Sequence, residues 1–532
     1  MESHVPEKLF QQMAQPGFYP HPAGSVEIRE THISKVFLAG NRVYKIKKPL
    51  DLGFLDFTTL EKRKYYCEQE VVLNRRLASD VYLDVVSICL ENGTYRLGGT
   101  GTVVEVAVKM RRLPEAASMA HLLDEDRIHA KEISALADVL AQFYARTAAD
   151  MHADAEPPGD GLGTWAAVRE NCRENFTQTA GLAGTLFDER LFSIVRSTTM
   201  AFLQRRKPLF DQRVRSGKVR DCHGDLRADH IYFTADGVRV IDCIEFNQRF
   251  RFEDVASDLA FLAMDLDFRG HGHVAGPLLT EYVRRSQDAD LFVLIEFYKS
   301  YRAMVRFKVS CMRVQEPDVS VEEKNRLRCD IETHLNLAYG YAVGFTRPVI
   351  WVVCGLPASG KSTIADALGR TFGIPVFQSD VVRKEHFASL STDLSQLGYE
   401  QGIYSRGVTA LTYGRLLLLA QETIEKGNSV VLDATFSTRH FRTEARRLAA
   451  DMDANIFFVE CVAPEAVLKK RLIRRESNAG VSDARITHFD AFRKRFEPMD
   501  EIRPDQRMVV HTENTMDACM GQILYNEYIA PL

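Results

Sequence analysis

Apolar and polar residues alternate over several short runs in the first part of the chain, which predicts a small sheet. Three runs lie between residues 26 and 48, and two more cover 81–88 and 102–110. Alternation with a period of two is typical of strands that bury one face. A helical pattern separates the two groups at about 58–77, and helical spacing prevails from about 118 to 344. The pattern therefore predicts a β-rich lobe followed by a helical lobe.

A different pattern follows Pro348, where short apolar runs alternate with helical stretches. Such runs begin at Val349 and end at Asp380, Asp433 and Cys461. Strands that alternate with helices predict a parallel sheet, whose functional site lies at the carboxyl ends of the strands. Because proline cannot continue a helix, Pro348 marks the junction between the two halves. We therefore predict an α+β domain over 1–345 and an α/β domain over 348–532.

The first apolar run of the second half is followed at once by GLPASGKST. A glycine-rich turn between a strand and a helix, closed by Gly-Lys-Ser, is typical of a phosphate-binding P-loop. Its backbone N–H groups surround nucleotide phosphates, while Lys361 reaches the β- and γ-phosphates and Ser362 binds Mg²⁺. We expect ATP or GTP to bind the nine residues of this loop: Gly355, Leu356, Pro357, Ala358, Ser359, Gly360, Lys361, Ser362 and Thr363.

Composition narrows the class of protein. Hydrophobic residues make up 45% and charged residues 26% of the 532 positions, as in ordinary globular proteins. No run approaches the roughly 20 apolar residues of a membrane helix, and the first ten residues include Glu, His and Lys, so we expect a cytoplasmic protein without a membrane partner. The ten cysteines form no C-x-x-C pair, which favours reduced thiols. A net charge of -4 does not favour nucleic acid as a general partner.

A second motif lies in the helical part, where His223, Gly224 and Asp225 precede a short hairpin and an apolar strand that ends in Asp242. The motif resembles the catalytic loop of the aminoglycoside phosphotransferase branch of the protein-kinase-like fold. The resemblance implies that Asp225 accepts or orients the acceptor hydroxyl and that Asp242 holds Mg²⁺. It also implies that His223 braces the loop. Arg227, two residues after Asp225, is a candidate to stabilise charge on the transferred phosphate.

The resemblance extends back into the β-rich lobe. It implies that Lys45 binds the nucleotide phosphates and that Glu70 on the following helix orients it, with Lys47 and Glu68 as the alternative pair. The stretches VYKIKKP, FLDFTTLEKR and IDCIEFN also look like those of bacterial proteins in which a kinase-like half is fused to a P-loop half. That likeness covers nearly the whole chain. It implies a protein-kinase-like first domain and a P-loop second domain.

One residue departs from the family pattern. Five residues after Asp225 the family has a metal-binding Asn, whereas this chain has His230. Magnesium prefers oxygen ligands, so the imidazole leaves three outcomes open: a shifted metal site, a preference for Mn²⁺, or nucleotide binding with little or no transfer. Asp229 is an alternative ligand beside His230. Glu245 and Asn247 are further candidate metal ligands. In the simpler interpretation they only hold the loop in place.

The second half resembles the small-kinase group that contains polynucleotide 5′-kinases, zeta toxins and chloramphenicol phosphotransferase. The resemblance implies that Asp380 is the general base and that Arg383 binds the acceptor or a phosphate. Asp433 would fix Mg²⁺ through water. Arg471 and Arg475 share one face of a basic helix that looks like the mobile lid of these kinases, although a solvated helix face would have the same pattern.

These patterns predict an ATP-dependent kinase with two nucleotide-binding domains that transfers the γ-phosphate to a hydroxyl group. Its acceptor is a small molecule, a nucleotide or a nucleic-acid end; Lys and Arg are balanced by Asp and Glu after Pro348, which does not favour the last. The alternative is a nucleotide-gated regulatory protein with a degenerate kinase-like sensor and a slow P-loop ATPase. The expected cofactors are ATP and Mg²⁺, with Mn²⁺ as an alternative in the first site. The oligomeric state stays open.

Overall fold

The computed structural model describes residues 7–154, 161–317, 319–387, 406–476 and 486–529. The chain divides into two compact units. The first unit comprises Met1–Arg196, Lys207–Ser286 and Tyr298–Ala338, and the second comprises Ser197–Arg206, Gln287–Phe297 and Tyr339–Leu532. None of the helices in the described ranges is long and apolar enough to cross a membrane.

The first unit begins with a short helix and a six-stranded antiparallel sheet in the order β1-β2-β3-β6-β4-β5. Its elements are α1 (Glu7–Met13), β1 (Val26–Glu30), β2 (Ser34–Ala39), β3 (Arg42–Lys47), α2 (Leu60–Ala78), β4 (Tyr82–Glu91), β5 (Thr94–Leu97) and β6 (Thr102–Arg111). The sequence pattern predicted the runs of β1 to β4 and β6, but it missed β5. The missed strand pairs with β4 through a turn at Asn92 and Gly93, both at positive φ, and an Asn-Gly pair is a hairpin signal that could have revealed it.

The helical lobe of the first unit frames two small strand pairs. Its helices, some of which also contribute residues to the second unit, are α3 (Met119–Asp124), α4 (Ala130–Asp154), α5 (Trp165–Thr179), α6 (Glu189–Arg215), α7 (Val255–Phe268), α8 (Ala275–Ser286), α9 (Leu291–Arg313) and α10 (Val321–Thr346). The strand pairs join β7 (Val219–Asp221) to β10 (Phe252–Asp254) and β8 (Ile231–Thr234) to β9 (Gly237–Val240). These four strands hold the segment that contains the H-G-D motif.

The second unit contains a five-stranded parallel sheet in the order β12-β13-β11-β14-β15. Its strands are β11 (Val349–Cys354), β12 (Val376–Gln378), β13 (Val430–Asp433), β14 (Asn455–Val462) and β15 (Arg507–His511). Its main helices are α11 (Lys361–Phe372), α12 (Ser379–Phe387), α13 (Arg406–Ile424), α14 (Arg439–Asp451), α15 (Glu465–Glu476), α16 (Phe489–Arg495) and α17 (Met516–Ile529). All six residues of the central strand β11 are buried. The predicted α+β and α/β fold classes are therefore confirmed.

Two segments from earlier in the chain complete the second unit. The ring of Phe202, on α6, stacks on Phe297 of α9, with 4.8 Å between ring centroids. Phe345, at the end of α10, packs its ring edge-on against Phe202. Phe292 of α9 lies against Tyr525 and Tyr528 of α17. The second unit is thus assembled from three separate stretches of chain, while the functional boundary at 345 and 348 stays a prediction.

Candidate active sites

In the first unit, a buried carboxylate holds the H-G-D loop. The backbone N–H groups of His223 and Gly224 donate to the two oxygens of Asp258, at 2.8 and 3.0 Å. The Tyr144 hydroxyl donates to the same carboxylate at 2.8 Å. His223 is buried and lies with Nε2 2.9 Å from the carbonyl of Ile241, which agrees with a bracing role. No sequence pattern singled out Asp258, which is one of three aspartates in the mostly apolar α7.

Asp225 faces a guanidinium. Arg227 Nε and Nη2 donate to its two carboxylate oxygens at 2.9 and 3.0 Å. Burial raises the pKa of Asp225, but the charge and the hydrogen bonds of Arg227 outweigh burial and hold the pKa well below its usual range. The side chain is therefore an ionised carboxylate at neutral pH, as a proton acceptor requires.

Lys45 connects the strand β3 to two carboxylates. Its Nζ lies 2.9 Å from Glu70 Oε1 on α2 and 2.5 Å from Asp242 Oδ1. Asp242 adopts a left-handed backbone with φ of +66°, and its N–H donates to the hydroxyl of Tyr82 at 3.0 Å. A non-glycine residue in this region is held there by its surroundings, and such positions concentrate at functional sites. The structure thus brings together Lys45, Glu70 and Asp242.

Lys47 is also part of this cluster. Its Nζ contacts Glu70 Oε2 at 2.7 Å and also the carboxylate of Glu245. All three side chains are almost completely buried, whereas Glu68, the alternative partner in the sequence analysis, is exposed. Burial lowers the pKa of Lys47, but the two carboxylates raise it above its usual value. Glu245 therefore forms an ion pair with Lys47. The alternation of Lys45 and Lys47 along β3 could not predict this partner.

His230 lies between the two carboxylates of the site. Its Nδ1 is 2.8 Å from the backbone oxygen of Asp225, and its Nε2 is 3.7 Å from Asp242 Oδ2. Arg227 Nη2 lies 3.2 Å from the same Nε2. A hydrogen on Nδ1 that bonds the carbonyl leaves the Nε2 lone pair on the side of Asp242 and Arg227.

The alternative ligands have other partners. Asp229 is exposed and pairs with Arg269 at 2.6 Å. Asn247 donates through Nδ2 to the carbonyl of Phe54 and accepts the N–H of Arg249 at 3.0 Å. Both contacts fix the loop after Asp242, which agrees with the simpler interpretation of Asn247.

The P-loop of the second unit has the backbone shape expected of an anion cradle. Gly355, Ala358 and Gly360 all have positive φ, at +132°, +63° and +89°. A Cβ at Gly355 would lie 2.4 Å from the carbonyl oxygen of Cys461, so a side chain is excluded at this position. The hydroxyl of Ser359 is buried without a hydrogen-bond partner in the described part of the chain. Leu356, Pro357 and Thr363 complete the loop and the first turn of α11.

The charged and hydroxyl groups of the loop meet at the end of two neighbouring strands. Lys361 Nζ donates to the backbone oxygen of Leu356 at 2.9 Å. The hydroxyl of Ser362 lies near Asp433, the buried last residue of β13. Burial raises the pKa of Asp433, and the charge of Lys361 and the nearby hydroxyl of Ser362 partly offset this effect.

Asp380 lies in the first turn of α12, directly after β12, and Arg383 follows three residues later on the same helix. Arg383 is buried. Both charges act on Tyr413, a buried residue of α13 whose pKa is raised mainly by burial. The Tyr413 hydroxyl accepts the N–H of Phe436 at 2.9 Å, directly beyond the β13 end of the sheet. No local sequence pattern indicates Tyr413, because its place near Arg383 and Asp380 depends on packing between segments that are distant in sequence.

Arg471 of α15 contacts the P-loop directly and through Thr512, which follows β15. Its guanidinium donates to the hydroxyl and the carbonyl of Thr512 at 3.0 and 2.9 Å and to the carbonyl of Ala358 at 3.3 Å. Thr512 Oγ1 donates in turn to the Ser359 carbonyl at 2.7 Å. The predicted partner Arg475 lies on the same helix, but its side chain is outside the described residues.

The residues of the second site suit a magnesium nucleotide, whereas the first site offers a mixed set of ligands. No group of three or more His, Cys, Asp or Glu side chains in the described ranges is placed to hold a metal alone. Mg²⁺ in phosphotransferases needs fewer protein ligands, because substrate phosphates and waters complete its shell. Ser362 with Asp433 offers oxygen ligands in the second unit, and the cradle at Gly355 fits phosphate oxygens. Asp242 with His230 offers one oxygen and one nitrogen in the first unit.

Comparison with protein families agrees with the two folds. The model of the Phosphotransferase enzyme family matches residues 90–291, and the model of the AAA domain matches residues 350–499. The predicted kinase-like and P-loop halves are therefore confirmed. Solved structures similar to the chain include a putative kinase from Chloroflexus aurantiacus, which is 24% identical, with 34% of this chain and 98% of that chain covered at a TM-score of 0.28. A choline kinase from Cryptosporidium parvum is 8% identical. The match covers 63% of this chain and 94% of the choline kinase, with a TM-score of 0.40.

Curated relatives match the chain over most of its length. An uncharacterized protein of Mycobacterium tuberculosis, strain H37Rv, is 32% identical over 460 residues, which cover 86% of this chain and 88% of the relative. An uncharacterized protein of Mycobacterium bovis has the same identity and coverage. The chain therefore belongs to the family of these mycobacterial proteins and combines a domain of the phosphotransferase enzyme family with a P-loop domain.

Proposed function

We propose that the chain is an ATP-dependent kinase whose P-loop unit transfers the γ-phosphate of ATP to a hydroxyl group of an acceptor. The observation that carries this proposal is the convergence of the P-loop, Asp433 and Asp380 at the carboxyl ends of β11, β13 and β12. A nucleotide switch has no need of a carboxylate that accepts a proton from an acceptor. Asp380 therefore favours a transferase over a pure ATPase.

Each residue would have a separate task in the transfer. The P-loop N–H groups bind the phosphates, and Lys361 exchanges its bond to the Leu356 carbonyl for one to the γ-phosphate. Ser362 and Asp433 would hold Mg²⁺, which would supply positive charge against the phosphates. Asp380 accepts the proton of the acceptor hydroxyl. Arg383 and, from the lid, Arg471 and Arg475 stabilise phosphate charge.

The acceptor can be identified by incubating the full chain with γ-labelled ATP, Mg²⁺ and a cellular extract of metabolites and RNA. We expect label in an acceptor product, identified by mass spectrometry, and much less in the same reaction with Lys361→Ala. If wild type releases only inorganic phosphate from ATP in every extract fraction, the chain is an ATPase and the transferase proposal is wrong.

Replacement of Asp380 by asparagine separates the acceptor site from the nucleotide site. The amide cannot take a proton, so we expect phosphoryl transfer to fall by about two orders of magnitude or more while the Kd for ATP changes little. Transfer is measured with the acceptor identified above, and ATP affinity by calorimetry. An equal loss of ATP affinity would instead assign Asp380 to the metal or to the fold.

The first unit would bind a second nucleotide, with Lys45 and Glu70 on its phosphates and Asp242 and His230 on its metal. Asp225 and Arg227 would serve the acceptor and the transferred phosphate. The alternative function, a regulatory nucleotide sensor, is favoured by one observation: His230 Nε2 lies 3.7 Å from Asp242 Oδ2. The family resemblance implies an asparagine at position 230, so a nitrogen would replace an amide oxygen there. A nitrogen ligand weakens the binding of Mg²⁺ relative to that of Mn²⁺.

Metal preference distinguishes these two roles of the first unit. We expect the first site to bind nucleotide better with Mn²⁺ than with Mg²⁺, and His230→Asn to raise binding with Mg²⁺ by about tenfold. The measurement is a Mg²⁺ and Mn²⁺ titration of nucleotide binding in the full chain, with Lys361→Ala in every protein to weaken the second site. Asp242→Ala should abolish metal-dependent nucleotide binding at the first site in both proteins. Identical metal preference in His230→Asn and its parent would remove His230 from the metal site.

A further inference from the structure

Four successive backbone N–H groups, from residue 241 to residue 244, hold the segment around Asp242. The first donates to the carbonyl of His230 at 2.9 Å, and the last donates to the carbonyl of His223 at 3.1 Å. The two N–H groups between them, including that of Asp242 itself, donate to side chains of the β-rich lobe. The segment is therefore bonded both to the loop with the H-G-D motif and to the β-rich lobe of the first unit.

The two side chains are those of Tyr82 and Asn74. The Tyr82 hydroxyl, on β4, accepts the N–H of Asp242 at 3.0 Å. On α2, Asn74 Oδ1 accepts the N–H of Cys243 at 2.9 Å, and Asn74 Nδ2 donates to the Glu70 carbonyl at 2.9 Å. Both residues are only 1% exposed, so bulk water does not compete for these bonds. A buried N–H that loses such an acceptor is costly to leave unpaired.

An irregularity in the sheet sets the direction of Tyr82. The pairing of β4 with β6 shifts register between Tyr82 and Asp84, and such irregularities re-aim side chains next to functional sites. Arg75 of α2 donates to the carbonyl of Tyr82 at 2.9 Å and also to the carbonyl of Leu83. Arg75 therefore fixes β4 against α2, the two elements that bond the segment around Asp242.

The bond from Tyr82 acts on a strained residue. Asp242 has a φ of +66°, and a residue other than glycine stays in this region only when its surroundings hold it there. Without an acceptor for its N–H, the backbone of Asp242 would relax toward negative φ. Its carboxylate would then change direction relative to Lys45 Nζ, which it now contacts at 2.5 Å. The placement of this carboxylate therefore depends on the two buried acceptors.

We propose that Tyr82 and Asn74 are positioning residues of the first site, which hold the Asp242 carboxylate where it can bind the metal of a nucleotide. The proposal rests on the proposed nucleotide binding of the first unit and adds two residues to it. Lys45 contacts both Glu70 of α2 and Asp242. The helix α2 therefore reaches the carboxylate by two routes, one through Lys45 and one through Asn74. A shift of α2 would move the phosphate-binding and metal-binding groups together.

Amide exchange tests the placement in the free protein. We would measure hydrogen–deuterium exchange of the full chain without ligands and compare the amide of Asp242 in wild type and in Tyr82→Phe, which removes only the hydroxyl. We expect exchange at Asp242 to become about tenfold faster, because its N–H loses its acceptor. The amides of β8 and β9 are the internal reference and should not change. Unchanged exchange at Asp242 would overturn the proposal.

Nucleotide binding tests the consequence for the metal. AMPPNP is titrated into the full chain by calorimetry, once with Mn²⁺ and once with EDTA, and every protein carries Lys361→Ala to weaken the second site. We expect Tyr82→Phe to weaken binding with Mn²⁺ by about tenfold and to leave binding in EDTA unchanged, because only the former uses Asp242 as a ligand. A merely structural role would lower both affinities alike or neither, and either result overturns the proposal.

Tyr19→Phe is the matched control. Tyr19 lies in the same lobe, and its buried hydroxyl donates to the Met13 carbonyl at 2.6 Å. The substitution therefore removes one buried hydrogen bond that does not involve Asp242. We expect neither the exchange at Asp242 nor the binding with Mn²⁺ to change. An equal effect of Tyr19→Phe and Tyr82→Phe would show that any loosening of the lobe suffices, and the proposal would be wrong.

Asn74→Ala is the second variant, and it replaces Tyr82→Phe if that protein does not fold. Its exchange is followed at Cys243, whose N–H loses its acceptor, and the same results support or overturn the proposal. Failure of the proposed function is read separately, since it appears as absent AMPPNP binding to the first site of the protein that carries Lys361→Ala alone. In that case amide exchange alone decides whether Tyr82 and Asn74 set the placement of Asp242.

Discussion

Replacement of Lys361 by alanine is expected to lower the magnesium-dependent ATP turnover of the second unit by about two to three orders of magnitude. The loss follows from removing a charge that the P-loop directs at the γ-phosphate, where negative charge must be stabilised during transfer. Turnover is measured in the full chain by phosphate release. Asp242→Ala is present in every protein, so that the first site contributes little.

Lys426 provides the control for this prediction, because it is exposed and lies in the turn after α13 of the same unit. Its replacement by alanine should leave turnover unchanged. Equal turnover in Lys361→Ala and Lys426→Ala would show that the P-loop does not position the reacting phosphate, and it would remove the basis of the proposed activity.

The second large effect is expected on stability, when Lys47 is replaced by alanine. Lys47 is the buried cation between Glu70 and Glu245, and its removal leaves the Glu245 carboxylate without its ion-pair partner in a buried site. Breaking a buried ion pair on one side costs about 3–5 kcal/mol of the free energy of unfolding. We therefore expect the first unit to unfold at much lower urea concentration than in the wild type.

The chain allows each unit to be followed separately. It contains two tryptophans, Trp165 in the first unit and Trp351 in the second, so fluorescence in a Trp351→Phe background reports on the first unit alone. Lys48→Ala is the matched control: Lys48 is the next residue, and it pairs with Glu30 at 2.8 Å on the surface. Its loss should change the free energy of unfolding by no more than about 0.5 kcal/mol. If both variants unfold alike, the buried cluster contributes little.

The sequence was most informative where chemistry depends on fixed spacing. The P-loop could be located from its glycines and Lys361, because strand, turn and helix are local and adjacent. The resemblance to known kinases indicated Lys45, Glu70 and Asp242, and the structure places these three in contact. Their roles remain proposals until the experiments above are done.

Other parts of the sites depend on contacts that no local pattern contains. Asp258 holds the H-G-D loop from 34 and 35 residues away, and Thr512 reaches the P-loop from the last strand. Long-range packing decides such positions, so their discovery required the fold.

The discontinuous make-up of the second unit limits how this half of the gene could have been inherited. A recombination event that moved only the codons after Pro348 would leave behind Phe202, Phe292 and Phe297. Tyr525 and Tyr528 on the last helix would then lose the aromatic ring that packs on them. Descendants that carry this version of α17 are therefore expected to retain both halves together, and a free-standing P-loop relative should have polar residues at these two positions.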